Sequence, residues 1–335
     1  MTSPRVRRWD TVREMTNDGD LYEQLVDAAN AIYGSHPHRR ALHAKGIWCE
    51  GSFSATPDAG KLSRAVHLQG DAVPALIRFS NGSGDPESHD AGREARGMAL
   101  KLRPENGDET DILATSNPAF ATRTPEEFLE LLRLRRPDPE TGQPDMEKLG
   151  AFLAAHPESQ PAIQATIGTE PPASFAQLAF RSPHTFKLVD AAGEGTWVRY
   201  RWRPEAGEAH IPDDEARERG RDYLREELAE RLGGGPAGFE LLLQIPAEDD
   251  PLDDPTAVWP DDRELVGAGR LEVTAIVDDP ESEGRIDVFD PVRVVDGIEL
   301  SDDPVLHARP RAYSVSAYRR LGIEVPNPSS PPTSS

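Results

Sequence analysis

Between Arg40 and Thr115, short apolar runs are interrupted at regular intervals by turn residues, and this punctuation constrains the fold more than any other feature of the chain. The runs cover 46–54, 65–68, 75–80, 97–102 and 111–114. Asp58-Ala59-Gly60, Gly82-Ser83-Gly84 and Asn106-Gly107 lie between them. Such spacing predicts an antiparallel sheet or barrel rather than βαβ units. Strand-like segments return at 185–189, 195–202, 239–245 and near 270–277, and all of these read as one interrupted sheet.

Helical periodicity surrounds the strands. Leu21, Leu25, Ala28, Ala29 and Ile32 recur at three- and four-residue spacing before a break at Gly34 and Pro37, which predicts a short arm over 1–38. From 125 to 167 the pattern is helical again: Pro125 suits a first helical position after Thr124, and Phe128, Leu129, Leu131 and Leu132 form an apolar face. The polar, Pro-rich stretch 136–145 reads as a surface loop. An acidic amphipathic helix is expected over 213–232, and a final helix after Tyr313. One domain over 39–325 follows, with a disordered tail, PSSPPTSS, within 326–335.

The 335 residues include 37 Lys and Arg against 59 Asp and Glu, a net charge of −22, and one cysteine. That balance excludes nucleic acid as a partner, because such affinity is built from cations on phosphates. A lone cysteine makes neither an internal disulfide nor a Cys-rich metal site, and it suits a cytoplasmic protein. No window approaches the ~20 apolar residues of a membrane span, and no apolar run follows the basic start.

The common catalytic signatures are absent: no P-loop, no Gly-x-Gly-x-x-Gly, no His-Glu-x-x-His, no Gly-x-Ser-x-Gly. Asn81-Gly82-Ser83-Gly84-Asp85 reads as an ordinary turn, His36-x-His38 as a surface pair, and Cys49 as a buried core cysteine. Three segments remain. Arg40 and His43 stand three apart at the mouth of a strand, Arg78 sits inside an apolar strand, and Arg309 and Tyr313 share a face if that stretch is helical. Each alone has a structural explanation in a capped strand end, a buried ion pair or a solvated helix face. Together they imply an enclosed anionic ligand, and haem fits: two carboxylates, an apolar disc and an iron needing an axial ligand.

In these residues the chain resembles the haem catalase family, of the short catalase-related peroxidase type. The match runs in order from Arg40 to Gly322 through "RALHAKG", "IRFSNGSGDPESHDAGREARGMALKL", "DILATSNPAFATRTPEEF", "SPHTFKLVDAAGEGTWVRYRW", "DPTAVWP", "FDPVRVVDGIELSDDPVLHAR" and "RAYSVSAYRRLG". The resemblance implies an α+β fold, an antiparallel β-barrel of about eight strands with helices packed around it. It further implies non-covalent haem b, with Tyr313 bound to iron as phenolate and Arg309, His184 and Asp303 in a line behind it. Arg40, Arg78 and Arg320 would pair with the propionates, and Phe128 would stack on the haem face. His43 would act as general base and then general acid on a hydrogen peroxide or organic hydroperoxide, held by Ser80.

Three departures stand out. Thr115 occupies the position of the family's distal asparagine, with Asn117 out of register; Gly82 replaces a bulkier apolar residue; and Glu94 replaces an aspartate. They suggest a more open pocket with a weakened distal side, and so peroxidase use with an unidentified electron donor over disproportionation. Alternatives are a hydroperoxide isomerase of allene oxide synthase type and a non-catalytic haem-binding protein. The extensions and NADPH of larger catalases have little sequence to occupy after Gly322. A homo-oligomer is possible, although the arm that entwines family tetramers is short here.

Overall fold

The computed structural model describes residues 19–281, 286–323 and 325. The first part of the expected arm and the expected tail lie outside them. Eight strands close into an antiparallel barrel: β1 (Gly46–Ala55), β2 (Val73–Asn81), β3 (Arg96–Leu102), β4 (Thr110–Thr115), β5 (Phe180–Arg181), β7 (Gly195–Pro204), β8 (Ala237–Gln244) and β9 (Leu265–Ile276). The order is β7-β5-β4-β3-β2-β1-β9-β8, and β8 pairs back onto β7. Two further strands, β6 (Phe186–Val189) and β10 (Ile298–Leu300), extend the sheet beyond β7.

Side-chain alternation explains which residues enter the barrel. Ile77 and Phe79 of β2, Met98 and Leu100 of β3, and Ile112 and Ala114 of β4 belong to one apolar core. Phe79 stands at its centre, stacked on Phe175 at 5.3 Å and within 6.0 Å of both Phe180 and Phe239. Cys49 is buried in the same core. The intervening residues, including Arg78, Ser80, Gly97, Ala99 and Leu113, emerge on the outer face. The arginine inside an apolar strand is therefore not in the apolar interior.

Helices cover that outer face. Helix α1 (Gly19–Tyr33) packs on α3 (Pro125–Leu134) through Leu25, Ala28, Leu129 and Leu132. A capping box starts α3: Thr124 accepts from the Glu127 N–H while Glu127 accepts from the Thr124 N–H, with Pro125 next. The chain also forms α2 (Pro57–Leu62), α4 (Met146–Ala155), α5 (Gln160–Gly168), α6 (Asp213–Glu218), α7 (Tyr223–Gly234) and α8 (Pro304–Arg320).

Three expectations are corrected. The run 65–68 is not a strand; it forms a single 3-10 turn, Val66–Leu68, that buries Ala65 and Leu68 in the core. The helix expected over 213–232 is two helices, broken where Gly220 takes φ +95°. The last helix begins nine residues before Tyr313, because Asp303 caps it and Pro304 opens it, so Tyr313 lies in its interior.

A buried ion pair fastens the barrel to the segment leading to α8. Lys101 donates to Asp111 at 2.9 and 3.1 Å and to the Val288 carbonyl at 3.1 Å, and Asp111 also accepts from the Asp290 N–H at 2.7 Å and from Arg293. Burial raises the Asp111 pKa to about 6 against the pull of Lys101 and Arg293. Lys101→Met leaves this carboxylate with Arg293 and the Asp290 N–H but without its buried ammonium partner, and is expected to lower stability by about 3 kcal/mol in urea unfolding.

Candidate active site

The active-site candidate is an apolar cavity between the barrel's outer face and the helices α1, α3 and α8. Leu25, Val26 and Ala29 come from α1, Phe128 and Leu132 from α3, and Leu113 from β4. From α8, Ala308, Arg309, Ala312, Tyr313, Ser316 and Arg320 reach it at the spacing of one helix face. Phe128 packs on Phe120 at 5.0 Å between ring centroids.

The position of that face is set by Asp303, which uses both carboxylate oxygens. Oδ1 accepts the N–H groups of Val305 at 2.8 Å and Leu306 at 3.1 Å, capping α8, and Oδ2 lies 2.6 Å from His184 Nδ1. Arg309 then spans from His184 Nε2 (2.8 Å from Nη1) to the Tyr313 oxygen (2.7 Å from Nε). A guanidinium only donates, so His184 Nε2 is the acceptor and the ring proton sits on Nδ1, facing Asp303. Burial lowers the His184 pKa although Asp303 opposes it, which keeps the ring in this neutral form.

On the barrel side, His43 stands three residues before β1, at the mouth of that strand. Its φ of +56° lies in the left-handed region that non-glycine residues seldom adopt. Four contacts hold it there. The His43 N–H donates to Gly82 O at 3.3 Å and the Ala44 N–H to Ser83 O at 3.0 Å, while Arg78 Nη2 donates to the carbonyls of His43 at 2.9 Å and Ala44 at 3.3 Å. Ser80 Oγ hydrogen-bonds the ring at Nδ1, 3.0 Å away. Burial, with Arg78, Arg309 and Arg40 adding positive charge, lowers the His43 pKa to about 3.

Gly97 makes room for this pair. A Cβ there would lie 2.8 Å from Ser80 Oγ and 3.1 Å from the His43 ring. The register places Ser80 opposite Gly97 and Gly97 opposite Thr115. Thr115 lies beyond Gly97 in this row and is not among the residues lining the cavity; its hydroxyl accepts the Asn117 N–H at 3.4 Å. The Asn117 amide is directed away, to Thr166 Oγ1 at 2.9 Å and Ala162 O at 3.3 Å. Gly82 does not widen the cavity either: a Cβ would meet Ala95 O at 2.8 Å, so backbone packing demands glycine.

Arg40, Arg78 and Arg320 all reach the cavity. Arg40 Nη2 donates to Glu281 Oε1 at 2.8 Å and to Asp287 O at 3.1 Å, and Arg320 Nη1 to both Glu281 oxygens at 2.8 Å. Trp48 lies under two of them, its ring centroid 5.4 Å from the Arg40 and 5.7 Å from the Arg78 guanidinium carbon. The Nε atoms of Arg78 and Arg320 are buried without a hydrogen-bond partner. Burial lowers the Arg40 pKa to about 10 and that of Arg78 well below its ordinary value.

The sequence analysis missed Trp48, Gly97 and Glu281. A glycine interior to a strand is a sequence mark of close backbone approach and identifies Gly97, whereas Trp48 and Glu281 carry no such mark. The His36 and His38 rings contact backbone carbonyls, Tyr33 O at 2.8 Å and Arg320 O at 3.1 Å. Among the described residues, Glu127, His156 and Glu158 form one cluster with metal-ligand spacing, but Glu127 already serves the α3 cap. A second cavity, around Arg93, Arg181, Arg201, Glu208 and Asp261, contains neither His43 nor Tyr313.

Fold and cavity together define a protein with an apolar cavity onto which His43, Tyr313 and the guanidiniums of Arg40, Arg78 and Arg320 open. Known proteins agree: the sequence pattern of the family described as Catalase matches residues 23–327, and the chain belongs to the catalase family, whose members are oxidoreductases acting on peroxide. It is 40% identical over 303 residues to a catalase-related peroxidase of Mycolicibacterium paratuberculosis, covering 90% of this chain and 95% of that protein. A catalase-related peroxidase of Synechococcus elongatus is 31% identical, covering 89% and 88%. The crystal structure of a fungal catalase superposes with a TM-score of 0.75 at 25% identity, covering 98% of this chain and 67% of that one. No helix among the described residues is long and apolar enough to cross a membrane. Catalases bind haem, and the cavity fits it: apolar walls suit the macrocycle, and buried guanidinium nitrogens without partners suit its carboxylates.

The His43 environment has a consequence for stability. Its pKa falls from 6.5 to about 3 in the fold, so between those values the unfolded chain holds a proton that the folded chain does not. Stability therefore falls as pH falls. Between pH 7 and 5, haem-free wild type is expected to lose about 2 kcal/mol more than His43→Gln in urea unfolding, from about 1.4 kcal/mol per pH unit below 6.5.

Proposed function

We propose that the chain binds haem b non-covalently and works as a peroxidase of catalase type, reducing hydrogen peroxide or an organic hydroperoxide with electrons from a separate small donor. The observation that carries this reading is the line Asp303–His184–Arg309–Tyr313, with links of 2.6, 2.8 and 2.7 Å, ending in a phenol oxygen on the cavity that also holds His43. Tyr313 is then the iron ligand. Arg309 stabilises negative charge on its oxygen, and His184 and Asp303 hold Arg309 in position.

Bound haem supplies the redox centre at which the peroxide O–O bond is cleaved. The chain binds, orients and moves a proton. His43 is neutral, so it can accept a proton from one peroxide oxygen and return it to the other as water leaves. Ser80 engages Nδ1 and leaves Nε2 for that transfer. Arg40, Arg78 and Arg320 pair with the propionates, and Phe128 contributes an aromatic wall against the macrocycle.

With Thr115 off the cavity wall and Asn117 engaged elsewhere, the His43 side has, among the described residues, one proton-transfer group and no fixed amide donor. This supports donor oxidation over rapid disproportionation. It equally favours a second reading, isomerisation of an organic hydroperoxide, which needs no donor. Cytoplasmic residence is part of the proposal, supported by the single free, buried Cys49.

The experiment is reconstitution with haem, followed by absorption spectra and product analysis. Wild type is expected to give a high-spin ferric tyrosinate spectrum and to oxidise organic donors. His43→Ala should keep that spectrum and slow the peroxide reaction by about a thousandfold, whereas Tyr313→Phe should alter or abolish haem uptake. Full peroxide reactivity in His43→Ala would refute the proton-transfer role of His43, and a haem-loaded wild type that does not react with peroxide would leave only a haem carrier. Oxygen release at a full catalase rate without donor oxidation would refute the peroxidase assignment, and a rearranged fatty-acid hydroperoxide with the donor unchanged would identify an isomerase.

A further inference from the structure

We propose that Glu281 is a positioning residue of the anion clamp: it braces Arg40 and Arg320 against each other so that their remaining N–H groups, with those of Arg78, face the cofactor's two carboxylates. This rests on the haem reading above. The Glu281 side chain is 7% exposed and receives 2.8 Å bonds from both arginines, which come from opposite ends of the domain sequence.

The way each guanidinium is used favours a brace over a competitor. Arg320 meets Glu281 through Nη1 alone, and its Nε is buried without a partner. Arg40 meets Glu281 and Asp287 O through Nη2 alone. Arg78 gives Nη2 to the His43 and Ala44 carbonyls, and its Nε too is buried without a partner. A guanidinium that spends one terminal nitrogen internally keeps other N–H groups for pairing with an outside carboxylate.

Charge points the same way. Glu281 is the strongest attractive charge on Arg40, ahead of Asp279 and Asp287, and it offsets the repulsion from Arg320; without it that repulsion loses its main compensation. Neighbouring carboxylates are engaged elsewhere, Asp279 with Arg39 at 3.7 Å and Asp287 with Arg103 at 3.3 Å and Lys101 at 3.6 Å. Arg309 is turned to His184 and Tyr313.

The test compares two ligands on the full haem-free chain: haem, and haem dimethyl ester, whose carboxylates are capped. Binding of each is followed by absorption. Glu281→Gln is expected to weaken haem binding about tenfold, the scale of one charge-assisted hydrogen bond, while affinity for the ester stays near wild type. Glu281→Asp, which keeps the charge, should recover part of the loss. Tighter haem binding by Glu281→Gln would mean that Glu281 competes with the propionates, and it would overturn the proposal. An equal loss for both ligands would also overturn it, marking general damage to the cavity. Those outcomes leave the haem reading standing; a wild-type chain that takes up no haem overturns both.

Discussion

The carboxylate of Asp303 is the constraint on which the rest of the site depends. One oxygen stops the chain and starts α8, and the other fixes the tautomer of His184. Because the helix begins there and nowhere else, Arg309 and Tyr313 fall one turn apart on the face turned to the barrel. Because His184 Nε2 can only accept, Arg309 has a defined partner on one side and the phenol oxygen on the other. A buried carboxylate with each oxygen satisfied is stable only as a complete network, so the line is present as a unit or not at all.

Placing the site on the outer face of a closed barrel resolves a conflict of polarity. The interior is filled by apolar side chains, Phe53, Phe79, Phe180, Phe239 and Trp202 among them. The outer face takes every second residue, so Arg78, Ser80 and Lys101 are presented by the strands that build the core. They are then buried by helices, by the loop before β1 and by the segment before α8 rather than by the barrel. Aromatic rings insulate the charges: Arg40 and Arg78 lie over Trp48, Trp48 stacks on Phe289 at 5.4 Å, and Lys101 lies over Phe289 at 5.2 Å. A chain of net charge −22 thus carries a cationic cavity, because net charge describes the surface while the cavity is set by a few desolvated groups.

Much of this was legible in advance where the signal was local. Turn punctuation marks β1 to β4 to within about two residues, and Thr124-Pro125 marks the start of α3. Legibility fails where a segment's partner is distant. The apolar run 65–68 reads as a strand but has no strand to pair with and turns instead to plug the core. Gly82 reads as an opened channel, yet the Ala95 carbonyl behind it leaves no space for a side chain. Thr115 aligns with a distal position, and its hydroxyl is spent on the neighbouring turn.

The amino-acid sequence by itself determined the antiparallel architecture, the absence of common catalytic motifs, and the set of residues from Arg40 to Arg320 from which an enclosed dianion could be inferred. Periodicity, turn chemistry and motif order are local properties, and they survive in a one-dimensional reading. Only the tertiary structure decided that His184 and Asp303, 119 residues apart, share a hydrogen bond, that His43 takes a left-handed backbone to reach Ser80, and that Glu281 joins Arg40 to Arg320. These contacts close loops of dozens to hundreds of residues, and their geometry comes from barrel closure and helix packing, which no local pattern encodes.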